Sequence, residues 1–199
     1  MDYEEKIKKN IEKFEKIFEM AVVSERKKNI AKMMENIGEL YFIAPASSKE
    51  EYHLSYPGGL AEHSFNVYKN LRNFFQMKLF DSNEESMFIV SMFHDLGKAC
   101  CTDLKSPHYK PTTEEWKLRK GWLYEYGNDS VYMTNHLRSL FILQHFNITL
   151  TPEEYSSIYL NDGMYLESNR SYGLKECPLA LFLHMSDRIA LKTESEKSQ

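Results

Sequence analysis

The sequence predicts an all-α fold, a bundle of helices carrying one small β-hairpin, on three observations. Apolar residues recur at spacings of three and four through most of the chain, the period of amphipathic helices. Clusters rich in Pro, Gly, Asn and Ser interrupt that pattern at intervals, as loops do. Only residues 97–130, with Pro107, Pro111, Gly121 and Gly127 among scattered aromatics, escape it.

The elements follow in chain order. Ile7, Ile11, Phe14 and Phe18 among Lys and Glu predict a surface helix from Tyr3 to Met20. A second helix is expected from about Glu25 to Tyr41, with Ile30, Met33, Ile37, Leu40 and Tyr41 inward. Ala44-Pro-Ala-Ser-Ser48 and Tyr56-Pro-Gly-Gly59 make residues 44–58 a loop. Leu60, Val67, Leu71 and Phe74 carry a third helix to about Leu79. Asp81-Ser-Asn83 caps a fourth, which holds Met87, Val90, Phe93 and His94. Trp116 to Tyr124 reads as a β-hairpin, within 116–126. Three more helices are expected at about 134–146, at 152–160 after Thr151-Pro-Glu-Glu154, and at 178–192 after Cys177-Pro178. Residues 193–199 are polar and expected to fray.

The 199 residues suit one domain with a buried core, and 42% hydrophobic with 27% charged residues is the balance of a soluble globular protein. A net charge of −4 gives no general affinity for nucleic acid. Cys100, Cys101 and Cys177 are odd in number, and the adjacent pair lacks the spacing of a zinc knuckle, so three free thiols in a reducing cytoplasm are expected. The start, Met1-Asp-Tyr-Glu-Glu-Lys6, is too polar for a secretory signal, and no apolar run approaches the roughly 20 residues that cross a bilayer. The chain therefore reads as cytoplasmic, with no membrane partner.

Chemistry concentrates in three peptides. Ser91-Met-Phe-His94-Asp95-Leu-Gly97-Lys98 sets an imidazole beside a carboxylate near the end of an apolar helix. Adjacent helical positions diverge by about 100°, so the two side chains can share one ion only at a buried flank or where the helix loosens toward Gly97. Gly58-Gly-Leu-Ala-Glu-His63-Ser64 puts a histidine on an inward stripe, and His184-Met-Ser-Asp187-Arg188 puts a carboxylate inside an apolar helix. Buried Asp and His are costly unless paired or coordinated, and a divalent cation supplies that compensation. Two imidazoles with two carboxylates suit Mn, Fe, Co, Ni or Zn better than Ca, with Mg possible.

These peptides, with Ala44-Pro-Ala-Ser47 and Ser186-Asp-Arg-Ile-Ala190, resemble the HD-domain metal-dependent phosphohydrolases, whose pattern is His, then His-Asp, then Asp on separate helices. The likeness runs from about Ile37 to Lys192 and is greatest to the small stand-alone HD proteins of bacteriophage and prophage. It implies an HD domain over residues 37–192, an N-terminal helical extension over 1–36 packed on it, and a tail at 193–199. It also implies a metal held by His63, His94, Asp95 and Asp187, and metal-activated water that cleaves a phosphoester or phosphoanhydride. Asp95 and Asp187 would carry the catalysis with Lys98, where the family often keeps a Lys. The substrate implied is a small phosphate ester, a nucleotide.

Two-metal members add two histidines. His136 stands where the first is expected, but Asn161-Asp162-Gly163 replaces the second, so one tight ion is favoured. His53, His136, Arg138 and Arg188 are candidate substrate contacts beside Lys98. Four have a plainer alternative: Lys98 solvated at a helix end, His53 exposed in its loop, and Arg138 and Arg188 paired with nearby carboxylates. His184 shares Asp187's helix face and reads as a support behind the ligands or as core packing, and His145 reads as structural. His108 and Arg119 either close over a nucleotide or stay solvated. Trp116, Trp122, Tyr124 and Tyr126 either stack on a base or pack in the hairpin. Two other functions stay open: a phosphodiesterase or exonuclease on cyclic or oligonucleotides, and an HD module that binds nucleotide without turnover.

Overall fold

Asp2 begins the first helix, its carboxylate accepting hydrogen bonds from the backbone N–H groups of Glu4 and Glu5. The computed structural model describes residues 2–197. Helix α1 (Tyr3–Ala21) buries Asn10, Phe14, Phe18 and Ala21, one stripe at helical spacing. Helix α2 (Arg26–Ile43) buries Ile30, Met33, Ile37 and Tyr41 on its own stripe. The Phe14 ring lies 5.5 Å from both Phe42 and Phe88, so these two helices close one face of the common core. A division at residue 36 falls inside α2, and the N-terminal segment shares the core of the rest.

Residues 44–58 form no helix or strand, as the Pro and Gly clusters predict. Gly58, at φ +89°, takes the left-handed turn into α3 (Gly59–Gln76). Asn83 caps α4 (Glu84–Phe93) by accepting from Ser86 N at 2.8 Å. Every residue of α4 from Glu85 to Phe93 is buried, because α3, α7, α8 and α1 all pack on it. A 3-10 turn, Leu96–Lys98, follows.

The irregular segment contains the one sheet among the described residues. Strand β1 (Tyr109–Pro111) pairs antiparallel with β2 (Tyr124–Tyr126), with Tyr109 opposite Tyr126. A hairpin exists, but its first strand lies upstream of the predicted one. Trp116 instead belongs to a one-turn helix, α5 (Glu115–Leu118), that connects the strands. Its start is fixed locally: Glu114 accepts from both Trp116 Nε1 and Lys117 Nζ, pairs that an alternating pattern does not reveal.

Three helices complete the bundle: α6 (Asn135–His145), α7 (Pro152–Tyr159) and α8 (Pro178–Lys197). Thr151 and Glu154 form a reciprocal capping box at α7. A 3-10 segment, Glu167–Tyr172, lies between α7 and α8. The expected fraying from residue 193 does not occur before Lys197; residues 198 and 199 lie outside the described residues. Helix α8 continues because Glu194, polar in sequence, is buried at 3% exposure and bonded to α3. No helix among the described residues is long and apolar enough to cross a membrane.

Candidate metal centre

Helices α3, α4 and α8 each deliver one part of a cluster. His63 lies on the α3 stripe with Leu60, Val67 and Leu71 and is 1% exposed. His94 is the C-cap of α4, and Asp95 leaves helical geometry at φ −105°, ψ 14°. That break lets two neighbours in sequence face one point, which a continuing helix would forbid. Asp187 projects inward from α8.

The distances converge. His63 Nε2 is 2.9 Å from Asp187 Oδ1 and 3.9 Å from Asp95 Oδ2. His94 Nε2 is 3.6 Å from Asp95 Oδ2 and 4.0 Å from Asp187 Oδ1. Donor atoms that each stand about 2.1 Å from one ion lie at most about 4.2 Å apart; His63, His94 and Asp187 form a group that could hold a cation, and Asp95 Oδ2 borders it.

Proton accounting strengthens the fit. His94 Nδ1 sits 2.8 Å from the carbonyl oxygen of Ser91, which only accepts, so Nδ1 carries the hydrogen. His63 Nδ1 sits 2.9 Å from Glu194 Oε2, again an acceptor. In the neutral ring each Nε2 is then a buried lone pair; His94 Nε2 has no hydrogen bond among the described residues, and His63 Nε2 faces Asp187 Oδ1 at 2.9 Å. Two lone pairs aimed at two carboxylates are repulsive unless a proton or a metal ion lies between them. Burial works against charge on His63, but Asp187 and Glu194 outweigh it and raise the ring to about 10.

Asp95 is held from its other side. Lys98 Nζ lies 2.6 Å from Asp95 Oδ2, and Asn135 donates to Asp95 Oδ1. Burial alone would raise this carboxyl, yet Lys98 and the imidazoles hold it well below the ordinary carboxylate range. Gly97 lets α6 approach: a Cβ there would collide with Asn135 O and lie 2.9 Å from Arg138 Cβ. Ser139 Oγ accepts from Gly97 N at 2.8 Å and donates to His94 O at 2.9 Å, which fixes the turn.

Family models, curated proteins and solved structures give no match to this chain.

Of the other predicted residues, His53 joins the cluster, its ring 4.9 Å from His63 and its Nε2 buried without a hydrogen bond. Burial, then the charges of His63 and Lys98, push His53 down to about 3. His136 is engaged on both nitrogens, Nδ1 with Asp162 Oδ2 and Nε2 with Thr134 Oγ1, each at 3.0 Å. Asn161 is buried and Asp162 faces His136, while His184 Nδ1 pairs with Asn161 O at 2.7 Å.

The two arginines named as substrate contacts stand in different surroundings, Arg138 on the cavity wall and Arg188 at the surface. Arg138 donates to Gly97 O and Met133 O and pairs with Asp129 Oδ2, at 2.8, 3.0 and 2.9 Å, and its Nε has no partner among the described residues. Arg188 is exposed, because one residue past inward-facing Asp187 the helix has turned through about 100°. Among the plainer readings, His145 and Arg119 are exposed, and His108 is buried.

Sequence reasoning missed Glu194, Asn135 and Ser139. Glu194 lay in the supposed tail, although its spacing of seven from Asp187 puts both on one helix face. Asn135 was visible next to His136, but nothing marked it as a partner of Asp95.

A cavity of about 650 Å³ opens beside the cluster, bordered by Lys98 and Asn135. Tyr109, Tyr126 and Tyr132 form much of its aromatic lining.

Proposed function

We propose that this protein is a metal-dependent phosphohydrolase of the HD type, cleaving a phosphoester or phosphoanhydride of a nucleotide. The observation that carries this reading is the convergence of two buried imidazole nitrogens, Nε2 of His63 and of His94, on the carboxylates of Asp95 and Asp187. His63, His94, Asp95 and Asp187 are the ligands assigned. Mn, Fe, Co, Ni or Zn are the metals their chemistry favours. Such an ion supplies a water acidified toward neutral pH and polarises a phosphoryl oxygen.

The chain's own residues supply the rest. Glu194 and the Ser91 carbonyl orient the two imidazoles so that both present Nε2 inward. Lys98, beside Asp95 and on the cavity wall, steadies a substrate phosphate. The tyrosines of the cavity suit an aromatic base. His136 favours a single tight ion, because Asp162 and Thr134 already engage its ring.

Elemental analysis with a phosphate-release screen over nucleotides tests the proposal. About one transition-metal ion is expected at these four residues, with turnover that Asp95→Ala abolishes together with that ion. A protein that stays free of metal after incubation with Mn, Co and Ni refutes it. Metal without turnover of any nucleotide supports a binding module instead, and turnover confined to oligonucleotides or cyclic nucleotides supports the diesterase reading.

A further inference from the structure

A second cluster lies in the irregular segment, away from the four ligands above. Cys101, His108 and Asp129 each offer one donor atom, all within 4.8 Å of one another. Backbone bonds hold them together. His108 N bonds Ala99 O, Cys101 N bonds Ser106 O, and Gly127 N bonds His108 O. Thr102 N donates to Asp129 Oδ1 at 2.6 Å, so all three segments are pinned in register before any ligand arrives.

His108 supplies the independent sign of a ligand. It is 9% exposed, and its Nδ1 is buried without a hydrogen bond, 3.8 Å from Asp129 Oδ2. A buried ring nitrogen left bare is costly, and here it faces a thiol and a carboxylate. We infer that Cys101 Sγ, His108 Nδ1 and an Asp129 oxygen form a site for a zinc-like divalent ion, separate from the proposed catalytic centre.

The donor set is thiolate, imidazole and carboxylate, which suits a borderline-soft tetrahedral ion rather than Mg or Ca. His108 and Asp129 also line the large cavity, which gives the ion an entry path and leaves a fourth position for water. The Cys101 thiol gives its proton to solvent as the sulfur–metal bond forms.

Arg138 is the evident objection, since its guanidinium lies 2.9 Å from Asp129 Oδ2. A carboxylate has about four acceptor positions, so one can hold both an arginine and an ion. With Cys101 ionised, two negative charges balance the arginine and half of the ion's charge. Arg138 also bonds Gly97 O, so the ion would brace the wall of the cavity through a residue that touches the His-Asp turn.

Cobalt titration of the full chain under a thiol-free reductant tests the inference. The proposed catalytic set contains no sulfur, so a near-ultraviolet sulfur-to-cobalt charge-transfer band reports this second site whether or not the first reading survives. The band is expected in the wild type, retained in His94→Ala and lost in Cys101→Ser. Zinc should also slow alkylation of wild-type Cys101, followed by peptide mass analysis, by about tenfold or more. No band in the folded wild type, a band that survives Cys101→Ser, or unchanged alkylation of Cys101 overturns the inference.

Discussion

Removing Glu194 tests whether a residue that never touches the ion governs its affinity. Its Oε2 accepts from His63 Nδ1 at 2.9 Å, while Oε1 accepts from Asn66 Nδ2 at 2.7 Å. In Glu194→Gln an amide oxygen can still face His63, and Asn66 can flip to match, so geometry survives but charge does not. A hydrogen bond to a charged group contributes about 1.5–3 kcal/mol and a neutral one about 0.5–1.5 kcal/mol. The difference, about 1–1.5 kcal/mol, corresponds to about a tenfold weaker metal Kd. Glu194→Ala removes the acceptor altogether and should weaken binding by up to about 100-fold. Both are measured by competition with a chromophoric chelator, at a temperature where circular dichroism shows each metal-free variant folded. The graded order, wild type tighter than Gln and Gln tighter than Ala, is the signature. A Glu194→Ala Kd within about twofold of wild type would refute the account of how His63 is oriented.

Four further outcomes follow from the same geometry. Burial disfavours charge on His63, but Asp187 and Glu194 raise its pKa in the metal-free protein to about 10, above its unfolded value of about 6.5. That charge stabilises the metal-free fold fully below about pH 6.5 and is lost as pH rises through about 10. The ion must displace this proton, so the metal Kd should tighten about tenfold per unit between roughly pH 6.5 and 8.5; a flat profile contradicts this. Gly97→Ala should lower both melting temperature and metal content, because the new Cβ meets Asn135 O in the contact that holds Asp95, and unchanged values in both would rule that contact out. Phe14→Ala should cost about 3–5 kcal/mol in urea unfolding if α1 is integral to the core, whereas a detachable extension would cost far less. His136→Ala should leave about one ion at the proposed centre while reducing turnover, and loss of a second tightly held non-sulfur ion would place the enzyme among two-metal hydrolases.

What the sequence made legible were features with local causes. The α7 capping box, the Asn83 cap and the stripes of α1 and α2 are decided within a few residues, so period and cap residues place them closely. The hairpin was displaced because its partner strands, Tyr109–Pro111 and Tyr124–Tyr126, are joined by a connection that itself winds into a helical turn. The tail was misjudged for a different reason. Polar composition predicts fraying only when polar residues meet water, and Glu194 meets His63 and Asn66 inside the bundle.

The same contrast separates the two clusters of metal-ligating residues. His63, His94, Asp95 and Asp187 stood out because apolar helices surround them, so their polarity needed an explanation at once. Cys101, His108 and Asp129 sit in a segment where polar residues are ordinary, and only the folded chain reveals that the His108 nitrogen is bare and buried. Burial, rather than spacing, carries the signal in both. In the helical cluster burial is readable from period. In the loop cluster it comes from turns such as Cys101–Ser106 and from strand pairs such as Tyr109 with Tyr126, whose partners are fixed by distant contacts. A ligand set built on such a segment is therefore expected to be silent in sequence, and an unsatisfied buried atom is the feature by which it becomes visible.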